Sequence, residues 1–131
     1  MRPWVEVFAV FFVSHQVGDY LLQTEWQARH KHGGLTGTAE ERRALLSHIA
    51  SYTVAFVPAL VWLWSSRHAG VLWVAALIAI PHLIQDDGTL LAGYARRVKG
   101  ADIAANPSLG VAIDQAFHIL ALFLAALLAG H

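Results

Sequence analysis

The chain is 131 residues long, 56% hydrophobic and only 14% charged, with a formal net charge of zero and no cysteine. That length allows one compact unit, and a charged fraction well under the roughly 25% of ordinary soluble domains makes the lipid bilayer the expected solvent. The neutral balance offers no basic field for nucleic acid, and the missing thiols exclude disulfides and thiolate metal sites.

The first apolar run covers residues 4–22, opened by Pro3, whose missing N–H suits a first helical turn. Glu6 interrupts it and no small-residue cleavage pattern follows, so it reads as a retained helix over about 3–24, with an interfacial turn continuing to Ala28. Arg29, His30, Lys31, His32, Gly33 and Gly34 then break the helix. Thr38-Ala39-Glu40-Glu41 fits a capping box. It starts a second helix over about 39–65, kinked at Pro58 as membrane helices tolerate. Arg67, His68, Ala69 and Gly70 make a tight connection to a third helix over about 71–87. Its apolar part is short against the roughly 20 residues of a span, and Pro81 frees the carbonyl of Leu77 beside His82. A short interfacial helix over 90–98 follows, and Asn106-Pro107 opens a last helix over about 107–129. No stretch shows strand alternation. The expected fold is all-α: a single domain, 1–131, forming a polytopic membrane bundle of four transmembrane helices in up-down order.

Arg29, Lys31, Arg42 and Arg43 lie in the first connection and Arg96, Arg97 and Lys99 in the third, against only Arg2 and Arg67 on the opposite side. This bias places both long loops in the cytoplasm and both termini outside it, in the inner (cytoplasmic) membrane. Trp4, Trp62 and Trp64 read as interfacial anchors.

Of eight histidines, His30 and His32 fall in a polar loop, His68 in a turn and His131 at the terminus. His15, His48, His82 and His118 remain, one on each apolar segment. Residues four apart share a helix face, which pairs His15 with Asp19, His82 with Asp86 and Asp114 with His118. In an up-down bundle all three pairs reach the cytoplasmic side, with Asp19, Asp86 and Asp114 layered over the histidines. His48 joins from the second helix, where Ala44 takes the place of a fourth aspartate. His15 to His82 and Asp19 to Asp86 are both separations of 67 residues, as two duplicated helical hairpins would give.

Taken singly, each histidine is an ordinary satisfied polar residue, and buried His–Asp hydrogen bonds are the plainer reading of the set. Jointly, His15, Asp19, His48, His82, Asp86, Asp114 and His118 predict ligation of Zn, Mn or Fe, one or two ions per chain. Seven donors exceed one tetrahedral site, which favours a two-metal centre with a bridging aspartate. The alternative has carboxylates orienting imidazoles around a single ion. Tyr52 and Gln115 are further supporting groups. Glu6 falls on the opposite helix face, and His30, His32 and His68 read as solvated.

The run His15-Gln16-Val17-Gly18-Asp19-Tyr20-Leu21-Leu22-Gln23-Thr24 resembles the opening motif of the domain-of-unknown-function 3307 family of small bacterial and phage membrane proteins. His48, His82, Asp86, Asp114, Gln115 and His118 look like that family's remaining polar positions, so the resemblance covers nearly the whole chain. It implies an integral membrane protein and brings no established activity. A looser likeness is to predicted membrane-bound metal-dependent hydrolases, which also carry histidine and aspartate on apolar helices.

These features make a metal-dependent hydrolase the expected function. Its water is activated by the metal, whichever of Asp19 and Asp114 is not committed to metal acts as general base, and the substrate is a lipid-like or lipid-linked ester or phosphoester. An oxidative di-iron enzyme is a variant with the same ligands. A metal-ion or proton transporter would require a homo-oligomeric pore, because residues 71–81 and 119–130 hold no ionisable group. A non-catalytic metal, haem or partner-binding module is the third reading, although three aspartates suit haem poorly.

Overall fold

A computed structural model describes residues 2–66 and 70–130. Arg67, His68 and Ala69 of the tight connection, and the terminal His131, lie outside the described residues. Helices account for all the regular structure among the described residues. α1 (Trp4–Gln16) runs directly into a π-helical segment (Val17–Leu22). It is followed by α2 (Glu25–His30), α3 (Ala39–Ala55), α4 (Val57–Trp64), α5 (Val71–Asp87), α6 (Thr89–Val98) and α7 (Pro107–Ala129).

The boundaries follow local chemistry. Thr38 Oγ1 accepts from Glu41 N–H (3.2 Å) and Glu41 Oε2 accepts from Thr38 N–H (2.7 Å), the expected capping box. A second box, between Thr24 and Gln27, starts α2. The interfacial turn of the first helix is therefore a separate helix, and Arg29 and His30 form its last turn instead of breaking it. Asn106 Oδ1 accepts from Leu109 N–H (3.3 Å), with Pro107 in the first turn of α7. Between α5 and α6, Gly88 adopts a left-handed φ of 79°, which glycine takes without steric cost. The second helix differs from the single kinked rod expected: it breaks at Phe56, with Pro58 in the first turn of α4. Proline has no N–H for the carbonyl one turn back, and Phe56 N–H tightens onto Thr53 O (3.0 Å) as α3 ends.

Two helices are long and apolar enough to cross a membrane: Trp4–Leu22, of 19 residues, and Pro107–Ala129, of 23. The bent pairs α3 with α4 (42°) and α5 with α6 (64°) each meet the same criterion together, giving up to four spans. Large apolar side chains such as Leu21, Val61, Leu72 and Leu128 are exposed on the outside, a surface suited to hydrocarbon and not to water.

Contacts define an up-down ring. Along α1, Arg2 meets Ser65, Phe11 meets Phe56 and His15 meets Tyr52, so α1 runs antiparallel to α3 and α4. Trp4 meets Phe123 and His15 meets Gln115, so α1 is antiparallel to α7 as well. α5 closes the ring between α3 and α7. Phe11, Phe56, Leu63, Val74, Ile78 and Leu122 form the apolar core, and the ionisable residues gather beyond it, at the end where α3 and α7 begin.

Replacing Thr38 by alanine removes the acceptor at the start of α3 and should lower stability by about 0.5–2 kcal/mol. Thermal unfolding in detergent would register this, and an unchanged midpoint would show that the cap contributes nothing.

Candidate metal centre

Every wall of the ring contributes to one polar cluster. α1 and its π-helical extension supply His15 and Asp19, α3 supplies His48, α5 supplies His82 and Asp86, and α7 supplies Asp114 and His118. All are buried except Asp114, which is partly exposed. The pairs four residues apart are close, as their spacing requires. His82 Nε2 lies 3.2 Å from Asp86 Oδ2, His118 Nδ1 lies 3.5 Å from Asp114 Oδ1, and His15 Nδ1 lies 3.7 Å from Asp19 Oδ2. Contacts between helices are as short or shorter. Asp86 Oδ2 is 2.7 Å from His48 Nε2, and Asp86 Oδ1 is 3.0 Å from His118 Nε2.

Four donor atoms make a compact group: Asp19 Oδ1, His48 Nε2, His82 Nε2 and Asp86 Oδ2. Five of their separations are 2.7, 3.1, 3.2, 3.2 and 3.4 Å. Ligands about 2.0–2.1 Å from a tetrahedral ion lie about 3.3 Å from one another, so the spacing suits a cation at the centre. Asp86, Asp114 and His118 form a second convergent group. Asp86 belongs to both, with one oxygen turned toward each.

The hydrogen bonding within the cluster fits the same conclusion. His118 Nδ1–H donates to the Asp114 carbonyl (2.7 Å). In the neutral ring Nε2 then presents a lone pair to Asp86 Oδ1, and two lone pairs 3.0 Å apart need a proton or a metal ion between them. Asp19 Oδ1, Asp86 Oδ1 and His118 Nε2 are buried without a hydrogen-bond partner, a costly state that either protonation of the facing histidines or metal ligation would relieve. Nδ1 of His48 and of His82 also lack a partner. These two imidazoles thus have no carboxylate or carbonyl behind them, the usual support of a metal-bound histidine.

Packing supplies part of that support. Tyr52 stacks on His82, with ring centroids 3.4 Å apart and planes inclined by 6°. Its hydroxyl donates to His15 Nδ1 (3.0 Å), while His15 Nε2–H donates to Gln115 Oε1 (2.9 Å). Gln115 Nε2 in turn donates to Asp19 Oδ2 and Asp114 Oδ2, both at 3.3 Å. Both nitrogens of His15 are therefore engaged, and it stands outside the two convergent groups. The other six expected ligands, Asp19, His48, His82, Asp86, Asp114 and His118, lie within them. Tyr52 and Gln115 brace the cluster, as their positions in the sequence suggest. Gly18 lets Tyr52 approach: a Cβ there would lie 2.6 Å from Tyr52 Cδ2.

Lys31 is the member that sequence reasoning missed. Its Nζ donates to Asp86 Oδ2 and Gln23 Oε1, both at 2.7 Å. The loop after α2 is pinned over the cluster by Asp87, whose carbonyl accepts from Gly33 N–H (2.7 Å) and whose Oδ1 accepts from Leu35 N–H (2.9 Å). No local pattern marks Lys31, because the folding back of α2 brings it inward. Beside it a cavity of about 420 Å³ has Asp19, Gln23, Lys31, His32, Asp114 and Gln115 as its polar lining, with Leu91, Ile103 and Val111 on its apolar wall. His32 borders this cavity and is exposed, as expected of a solvated loop residue. Partial desolvation of its ring and the neighbouring Lys31 charge hold it below the usual imidazole pKa.

The family model described as "Protein of unknown function (DUF3307)" matches residues 7–130, a span that includes every member of the cluster. No curated protein and no solved structure matches the chain.

Gly18→Ala should force Tyr52 off His82 and destabilise the protein by about 1–3 kcal/mol, as overpacking does. Tyr52→Phe keeps the stack, loses one hydrogen bond and should cost about 0.5–1.5 kcal/mol. Unfolding in detergent compares the two, and a Gly18→Ala variant as stable as wild type would contradict the packing described.

Proposed function

The chain belongs to the DUF3307 family, and we propose that it is an integral membrane metalloenzyme that hydrolyses a lipid-like ester or phosphoester. The observation that carries this reading is Asp86, shared between two groups of donors that each place one other carboxylate, Asp19 or Asp114, on the wall of a cavity. The group of Asp19, His48, His82 and Asp86 holds one ion. The group of Asp86, Asp114 and His118 offers three donors beside the cavity, and an incomplete ligand set is the mark of a catalytic position. Zn, Mn or Fe(II) suits nitrogen and oxygen donors without thiolate. Such an ion lowers the pKa of water and polarises an ester or phosphoryl oxygen.

The chain's own groups complete the chemistry. Side-chain exposure is 1% for Asp86, 6% for Asp19 and 23% for Asp114. Asp114 and Asp19 are thus the carboxylates that water in the cavity can reach, and the one not committed to an ion would accept its proton, a role that falls to Asp114 when Asp19 holds the four-donor ion. Gln115 holds both through one amide. Arg29, Arg42, Arg43, Arg96, Arg97 and Lys99 flank the cluster end of the bundle in sequence, which supports a site at the cytoplasmic face with both termini on the other side.

Protein purified in detergent and loaded with Zn or Mn should cleave a long-chain p-nitrophenyl ester or phosphoester. Chelation should abolish turnover and metal should restore it. Asp114→Asn should lower kcat by about 10²–10⁴-fold with the four-donor ion retained, the usual contribution of a general base. Metal-loaded protein that turns over neither substrate would make the cluster a binding module and not an active site.

A further inference from the structure

A second cavity, of about 320 Å³, lies between α5, α6 and α7. Its wall is almost wholly apolar, formed by Ile80, Pro81, Ile84, Leu90, Leu91 and Phe117. Ile80, Ile84 and Leu90 are exposed on the outside of the bundle, so the mouth opens sideways toward hydrocarbon. Asp114 and Leu91 line this cavity and the larger one alike. The carboxylate of the cluster that is most accessible therefore stands where an apolar groove meets a cavity that carries polar groups of the cluster on a largely apolar wall. Each space is of the size that binds small ligands, roughly 300–1,000 Å³.

We propose that the two cavities form one binding site for a single-chain amphiphile with a phosphate head, its tail in the apolar groove and its head beside Asp114 and Lys31. A hydrocarbon tail passing from the bilayer into an apolar groove changes little in solvation, so the head must supply the selectivity. Asp19, Asp86 and Asp114 carry three negative charges and Lys31 one positive, leaving a net charge of −2 with the histidines neutral. One divalent ion brings this to zero and removes the repulsion of anions, and a second brings it to +2 and makes the site attract them. An ammonium has three N–H donors, and Lys31, a lining residue of this cavity, has one beyond those given to Gln23 and Asp86. The head of the ligand rests on the metal reading above, whereas the tail groove does not.

The test is photo-crosslinking with hexadecyl phosphate bearing a mid-chain diazirine, against the matching alcohol, with metal content measured on the same sample. Labels should concentrate on Ile80, Ile84 and Phe117. Ile84→Trp should reduce them several-fold without altering metal content. The phosphate should label more strongly than the alcohol, and Lys31→Met or removal of metal should erase that preference. Labels spread equally over Leu21, Leu72 and the groove, or equal labelling by alcohol and phosphate in metal-loaded protein, would overturn the proposal while leaving the metal reading intact. Groove labelling in protein that holds no metal after reconstitution would support the tail site and reject the metal reading.

Discussion

The Asp86 carboxylate is the constraint on which the rest of the structure depends. It is 1% exposed at the end of α5, surrounded by His48, His82, His118 and Lys31. A buried carboxylate is penalised by several kcal/mol unless partners compensate it, and the apolar core of the bundle offers none. The compensation comes from three other elements: α3, α7 and the folded-back segment after α2. A helix pair alone could not assemble it. The bundle is thus held at one end by polar convergence and at the other by apolar packing, with Tyr52 between them, stacked on His82 on one side and packed on Phe56 on the other.

Burial on this scale is expensive for a purely structural role. Apolar residues of the same volume would hold four helices together as well or better. What apolar residues cannot provide is a carboxylate with two oxygens facing two sets of donors, beside a chamber that water can enter. Position along the bundle matters too. The larger cavity adjoins the ends of the helices, where the polar connections lie, and the apolar groove opens on the exposed apolar outside of the bundle, so Asp114 borders both.

Much of this was legible in the residues, for reasons that are local. The capping box at Thr38, the Asn106-Pro107 start of α7 and the helix after Gly88 depend on neighbouring side chains, and they appear where the sequence puts them. The pairs four apart also met on shared faces, because helix geometry alone decides that. Long-range packing decided the remainder. The π-helical turn that carries Asp19 accompanies the close approach of Gly18 to Tyr52, a contact between distant segments. His15 has the same spacing to its aspartate as His82, yet Tyr52 and Gln115 occupy both its nitrogens, and no periodicity reveals a competing partner. Lys31 looked like one of several loop charges until α2 turned it inward. The break at Phe56 was displaced from the proline that causes it, since proline disrupts the turn before itself.

The most direct measurement is the metal content of protein purified in detergent without chelator and reconstituted with Zn, Mn or Fe(II), determined by element-resolved mass spectrometry. The shared-carboxylate account predicts one or two tightly held ions per chain in the wild type, and loss of metal in a folded His48→Ala, His82→Ala double variant. Wild-type protein that retains no ion under any of these conditions would contradict it, and would leave Lys31 and protonated histidines as the sole counter-charges of Asp86.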